Sequence, residues 1–306
     1  MKEFKDLSSF TPMYTKAMSF AHLELVTKLK DAQIVLLGVP FDSAVSNRPG
    51  TRLAPRAIRL ASTMIESENP YNFAKVNIPN KRKAVDLGDL VLDYASPKTI
   101  YQQISTNINP IISQGKSTIA LGGDHSISYA FIKEYSKQLN QPISLLQFDS
   151  HTDTWSDEGL SRIDHGSMFY HAIKEGYIDP KKSVQLGIRT VNDDVMGVNI
   201  FDNDYIHQQG IYETIKRTLE IIGTNPVYLT FDIDFLDPAF APGTGTPVCG
   251  GFSPWQAQQM LIGLAGLNFC GADLVEVSPP FDNSEITALC GATLIAYILK
   301  LMQARP

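Results

Sequence analysis

At 306 residues, with 43% hydrophobic and 19% charged positions, the chain has the make-up of a soluble globular protein, which excludes the disordered and fibrous classes. A formal net charge of -6, with no Lys/Arg cluster interleaved with aromatics, excludes a general affinity for nucleic acid and suits a small cationic partner. Cys249, Cys270 and Cys290 show no CxxC spacing, so neither a disulfide framework nor a structural zinc site is expected; they read as reduced and mostly buried.

The N-terminal "MKEFKDLSSF" carries charges where a signal peptide needs an apolar stretch, and no later run reads as a membrane span, so a cytoplasmic protein is expected. Short apolar runs then alternate with amphipathic ones, the pattern of βα units around a parallel sheet. In chain order, strands are predicted at 32–39, 83–89, 117–123, 143–149, 183–189, 227–234 and 269–277. Helices are predicted at roughly 54–66, 98–114, 126–138, 165–175, 205–222, 253–266 and 284–303. No linker, low-complexity tract or composition shift interrupts the alternation, so residues 1–306 read as one domain with its motif-bearing core at about 33–303. Ligands of such sheets bind at the carboxyl ends of strands, which gives weight to polar residues just after an apolar run.

Three such places stand out. In "LLQFDSHTDTW", Asp149, His151 and Asp153 occupy every second position, so on an extended segment they would point one way, with Ser150 and Thr152 facing away. In "LTFDIDFLDP", Asp232 and Asp234 repeat the spacing. In "ALGGDHS", Asp124 and His125 follow two glycines that allow a sharp turn. A single Asp after a strand is most often a turn former or helix cap. The conjunction is different, because His125, His151 and His165, three of only six histidines, fall in or just after strand ends. Clustered carboxylates need a positive partner. Two divalent cations would balance four aspartates, and imidazole plus carboxylate without thiolate favours Mn²⁺. A metal pair lowers the pKa of a shared water, which suits hydrolysis. His22, His171 and His207 read as packed or solvated rings.

"GGDHS", "FDSHTDTW", "HGSMF" and "TFDIDFLDPAFAPGTGTPVCGG" together resemble the ureohydrolase family, which includes arginase, agmatinase and guanidinobutyrase. The resemblance runs from "GVPFDSA" to the C-terminal helix. It implies a three-layer α/β/α fold with a mostly parallel sheet, a binuclear manganese site, and a homo-oligomer of trimeric or hexameric kind. It further implies that His125 and Asp153 hold one metal, that His151 and Asp234 hold the other, and that Asp149 and Asp232 bridge them; Asp124 is not a ligand. By the same resemblance His165 shuttles protons, and Glu276, in "LVEVSPP", grips the substrate's guanidinium. Hydrolysis of a guanidino compound to urea and an amine follows.

Substrate choice rests on the molecule's far end. "DHGSMFYHAIKEGYIDPKKSVQLGIRT" and "DNSEITAL" resemble bacterial agmatinases, which make putrescine, and Asp157, Glu158 and Asp164 against one Arg162 would suit a distal ammonium. "SNRPGTRLAPRAIRLAS" resembles guanidinobutyrase and guanidinopropionase as well, and its Arg48, Arg52, Arg56 and Arg59 could meet a carboxylate or make ordinary ion pairs. A catalytically silent metal- or polyamine-binding scaffold is the alternative of another class. Intact ligands in all three motifs argue against it.

Overall fold

The computed structural model describes residues 19–26, 29, 31–67, 82–156, 159 and 162–304. The "MKEFKDLSSF" segment and the acidic Asp157 and Glu158 lie outside them. Among the described residues, eight strands form one all-parallel sheet: β1 (Ile34–Gly38), β2 (Ala84–Asp89), β3 (Ser117–Leu121), β4 (Ser144–Phe148), β5 (Val184–Leu186), β6 (Asn199–Phe201), β7 (Pro226–Asp232) and β8 (Asn268–Val275). Their order across the sheet is β2-β1-β3-β8-β7-β4-β5-β6. β1, β3 and β4 are buried at every position, as expected where helices cover both faces.

Helices α1 (Ala54–Ser67), α5 (Asn203–Ile222), α6 (Pro254–Gly263) and α7 (Ile286–Gln303) form one group, with α1 on α7, α7 on α6 and α6 on α5. Helices α2 (Ile100–Ile112), α3 (Ser128–Leu139) and α4 (Met168–Lys174) form a second such group. Two apolar cores result, one including Phe148, Phe231 and Tyr297, the other including Phe131, Phe169 and Tyr228. This is the three-layer α/β/α arrangement that the sequence pattern implies. Helix α6 starts at a capping box, in which the Ser253 hydroxyl accepts from the Gln256 N–H and the Gln256 side chain accepts from the Ser253 N–H.

All seven predicted strands and all seven predicted helices are found, and the differences have physical causes. Strand β6 escapes sequence reading because three residues, "NIF", are too short to show a period. Helix α7 is long and apolar enough to cross a membrane by length and composition, contrary to expectation, but 72% of it is buried inside the protein, the position of a core helix. Of the cysteines only Cys270 is buried; Cys249 is exposed and Cys290 intermediate, all three without a disulfide. The stretch after β4 is no extension of the strand. Ser150 and His151 form a bend, and Asp153 takes a left-handed backbone, φ 52.

Candidate metal centre at the strand ends

Because every strand is parallel, the carboxyl ends share one edge, and the four central strands β3, β8, β7 and β4 bring their following residues together. His125 lies on a 3-10 turn after β3; Asp149, His151 and Asp153 follow β4; Asp232 ends β7 and Asp234 sits on the next turn. His125 Nδ1 is 3.1 Å from Asp149, 2.8 Å from Asp153 and 3.3 Å from Asp232. His151 Nδ1 is 3.0 Å from Asp234 and 3.5 Å from Asp149. All six expected ligand residues therefore meet. Two subsets have donor atoms close enough to share an ion, His125 with Asp149 and Asp232, and Asp149 with His151 and Asp234. Asp149 belongs to both.

The way they converge departs from simple alternation. With the chain bent at Ser150, its side chain does not face away: the hydroxyl donates to Asp234 Oδ1 at 2.7 Å and lies 3.0 Å from His151 Nδ1. Thr152 does turn aside, accepting from Asn192 at 2.7 Å. Asp232 accepts the Asp234 N–H at 2.8 Å, so the DxD spacing closes a turn as well as presenting two carboxylates.

The donor chemistry fits divalent cations. The cluster offers imidazole nitrogens and carboxylate oxygens without thiolate. His125 Nδ1 is buried and makes no aligned hydrogen bond, while its Nε2 meets Thr230 Oγ1 at 2.7 Å. Thr230 in turn donates to Asp273 Oδ1 at 2.5 Å, and Asp273 Oδ2 accepts from Ser128 at 2.6 Å and from Tyr228 at 2.8 Å. Thr230 takes the Nε2 proton, so a cation replacing the Nδ1 proton would find that nitrogen facing the carboxylates, as a metal ligand requires. Gln147 orients Asp149 in the same manner, its Nε2 donating to Oδ2 at 2.7 Å.

Charge balance says the same. Burial pushes the Asp153 carboxyl up to about 7, with Asp149 adding to the rise and His125 opposing it. Burial likewise raises Asp232 and Asp234, each next to other carboxylates. Burial also opposes ionisation of Asp149, but the close His125 and His151 rings outweigh it and hold that carboxyl below its usual range. Burial disfavours a charged His151, yet Asp234 and Asp149 push it up to about 12. In the protein alone, protons supply the positive charge that cations would supply.

His165 and Glu276 stand beside this cluster. Glu276 follows β8 with a left-handed backbone, φ 64, and is 1% exposed. Its Oε1 accepts the His125 N–H at 2.8 Å and lies 3.4 Å from His165 Nδ1, while Oε2 is buried without a hydrogen-bond partner. Burial disfavours the charged form of His165, but Glu276 prevails and pushes it up to about 9. Its Nε2 meets both the N–H (3.0 Å) and the hydroxyl (2.8 Å) of Ser46. Asp124 is occupied otherwise: it caps the His125 turn through Ser126 N–H and takes the Ala44 N–H at 2.9 Å. A cavity of about 620 Å³ opens over the cluster, lined among others by His151, Asp153, Trp155, Asp164, His165 and Asp232.

Sequence reading missed Ser46, Gln147, Ser150, Thr230 and Asp273. Gln147, Thr230 and Asp273 carried a usable signal, being polar residues inside otherwise apolar strand runs. The four arginines after "SN" are engaged elsewhere or absent from the cavity lining. Arg59 pairs with Asp86 and Asp89 in the core, Arg52 pairs with Asp42, and Arg48 sits 5.3 Å over the Phe281 ring. Arg162 pairs with Asp164 at 3.2 Å. Among the remaining histidines, His207 stacks on Phe252 and His171 meets the Arg162 carbonyl.

A three-layer α/β/α protein with an Asp/His cluster fit for divalent cations at its strand ends is the class this geometry defines. The sequence pattern of the arginase family matches residues 32–300, and the chain belongs to that family. An agmatinase from Chromobacterium violaceum is 41% identical over 97% of this chain and 92% of its own length; one from Proteus mirabilis is 44% identical over 90% and 89%. The crystal structure of a hypothetical agmatinase from Burkholderia thailandensis superposes with a TM-score of 0.90 at 43% identity, covering 95% of this chain and 92% of that one.

Proposed function

We propose that the protein hydrolyses agmatine to putrescine and urea, working in the cytoplasm as a homo-oligomer of trimeric or hexameric kind. The single eight-stranded sheet supports reading the chain as one ureohydrolase domain. The observation that carries the proposal is the meeting of His125, Asp149, His151, Asp153, Asp232 and Asp234 beside the His165–Glu276 pair under one cavity. The agmatinase relatives support the choice of substrate.

A guanidinium carbon is resonance-stabilised and a poor electrophile, so neutral water attacks it slowly. When bound, two divalent cations, by our reading Mn²⁺, supply Lewis acidity that makes a nucleophile available near neutral pH. The residues that would hold them are His125, Asp149, His151, Asp153, Asp232 and Asp234. The unpartnered Oε2 of Glu276 is the acceptor for the planar guanidinium, a charge-assisted contact that orients it. Glu276 raises the proton affinity of His165, and the ring is placed beside that carboxylate to give a proton to the leaving amine. None of the four arginines after "SN" lines the cavity, and Arg162, which does, is paired with Asp164, an arrangement that favours an ammonium tail over the carboxylate tail of a guanidino acid.

The test is urea release from agmatine, 4-guanidinobutyrate, 3-guanidinopropionate, arginine and guanidine, each with Mn²⁺ and with chelator. Agmatine should be turned over at least ~10-fold faster in kcat/KM than any acid, a difference of about 1.4 kcal/mol in transition-state binding. Activity on an acid alone would overturn the substrate, and chelator-resistant activity would overturn the metal centre.

A further inference from the structure

Arg189 follows β5 at the edge of the cluster, and among the described residues its guanidinium has no carboxylate as its hydrogen-bonding partner. It donates to carbonyls only. Nη2 meets the carbonyls of Asp234 at 2.5 Å, Val248 at 2.9 Å and Leu236 at 3.4 Å; Nη1 meets Gly187 at 3.2 Å and Phe235 at 3.3 Å; Nε meets Val248 at 3.1 Å. Its backbone N–H donates to the Ser150 carbonyl at 3.0 Å, and the next residue's hydroxyl, Thr190 Oγ1, donates to the same carbonyl at 3.0 Å.

Those contacts are not spread evenly over the cluster. They fix the backbone of Asp234 itself and of Ser150, the residue between Asp149 and His151. The set of donors formed by Asp149, His151 and Asp234 is thus held from a third strand, whereas His125 and Asp232 receive no hydrogen bond from Arg189. Arginine suits this role because its planar fork presents five donors at fixed angles, and because it stays charged and so places a permanent positive charge behind the carboxylates. A lysine could satisfy at most some of the carbonyls, and an apolar chain none.

We propose that Arg189 is a positioning residue for one of the two cation sites, the one formed by Asp149, His151 and Asp234, and that it sets the affinity of that site without touching the ion. The inference rests on the two-cation reading above. Loss of partners that orient metal ligands weakens binding by ~10- to 100-fold in comparable sites. Calorimetric titration of the chelator-stripped full chain with Mn²⁺ tests it.

The unaltered chain should take up two ions. Arg189→Met should keep one ion at unchanged affinity and bind the second at least ~10-fold more weakly, with Arg189→Lys in between. The melting temperature of the stripped variants separates a loss of fold from a loss of site. If both variants bind both ions as the unaltered chain does, or if both sites weaken equally, the inference is overturned. Failure of both variants to fold overturns it too, because the arginine then holds the fold and does not tune the site. Uptake of no ion, or only one, by the unaltered chain sinks the two-cation reading instead.

Discussion

Thr230→Val is the most searching single change the structure offers, because it alters one hydroxyl and almost no volume. Thr230 is fully buried on β7, between His125 and Asp273, which are 1% and 0% exposed. Its Oγ1 accepts from His125 Nε2 and donates to Asp273 Oδ1. Valine strands both partners. Each unpaired buried polar group costs about 1–3 kcal/mol, so the upper bound is about 6 kcal/mol. The true cost lies lower, since Asp273 keeps Ser128 and Tyr228 on Oδ2 and burial already raises its pKa, so it can take a proton. A loss of about 2–4 kcal/mol in urea denaturation of the metal-free protein is therefore expected. With the Nε2 proton no longer held, the ring's orientation loosens, and Mn²⁺ affinity should fall ~10- to 100-fold. Thr230→Ser keeps the hydroxyl and should recover most of both. A valine variant within about 0.5 kcal/mol of the unaltered stability and with unaltered Mn²⁺ affinity would refute the relay.

Two further changes probe the buried arginine and the His165–Glu276 pair. Arg59→Met removes a fully buried guanidinium from Asp86 and Asp89 and leaves both carboxylates uncompensated; denaturation should show a loss of about 3–5 kcal/mol. Glu276→Gln tests the pH linkage of His165. Burial opposes the charged ring but Glu276 raises it to about 9, above the ordinary value of about 6.5. The contribution is fully present below about pH 6.5 and is lost as pH rises through about 9. The melting temperature of the metal-free protein should drop over that window, and the Gln variant should drop less; parallel curves would show that Glu276 does not set the ring's charge.

The fold was legible in the sequence to the extent that burial imposes a period. Strands such as "STIAL" and helices such as "ITALCGATLIAYILKLMQ" are long enough to show it, whereas the three residues of β6 are not. The spacing of Asp149, His151 and Asp153 pointed to the right residues for an incomplete reason. Alternation on an extended strand suggested convergence, but the chain bends at Ser150, and Asp153 arrives through a left-handed residue. Ser150 consequently points into the cluster, which no periodicity could have shown. Ser46 was out of reach for another reason, since it meets His165 across 119 positions of chain through a loop with no pattern of its own.

Why His125 belongs with Asp149 follows from the sheet and not from either motif. Their strands, β3 and β4, are separated by β8 and β7, so at ~4.8 Å per strand their ends start ~14 Å apart. The gap closes because the chain leaving β3 crosses the end of β8 at close quarters. The Gly122 N–H bonds the Leu274 carbonyl at 2.7 Å, and a Cβ at Gly122 would lie 2.6 Å from Val275 Cγ1. The next residue is tighter still, a Cβ at Gly123 falling 1.8 Å from the Phe41 carbonyl oxygen, which is backbone and cannot yield. Two glycines therefore precede "DHS" because β8 leaves no room for a side chain at the first and the Phe41 backbone, just after β1, leaves none at the second. The crossing carries His125 over β8 to within 3.1 Å of Asp149 and lets Glu276, leaving β8 directly beneath, accept the His125 N–H. The residue proposed to grip the substrate and a residue proposed to hold a cation are thus tied by one hydrogen bond. A shift of the glycine crossing would misplace both at once.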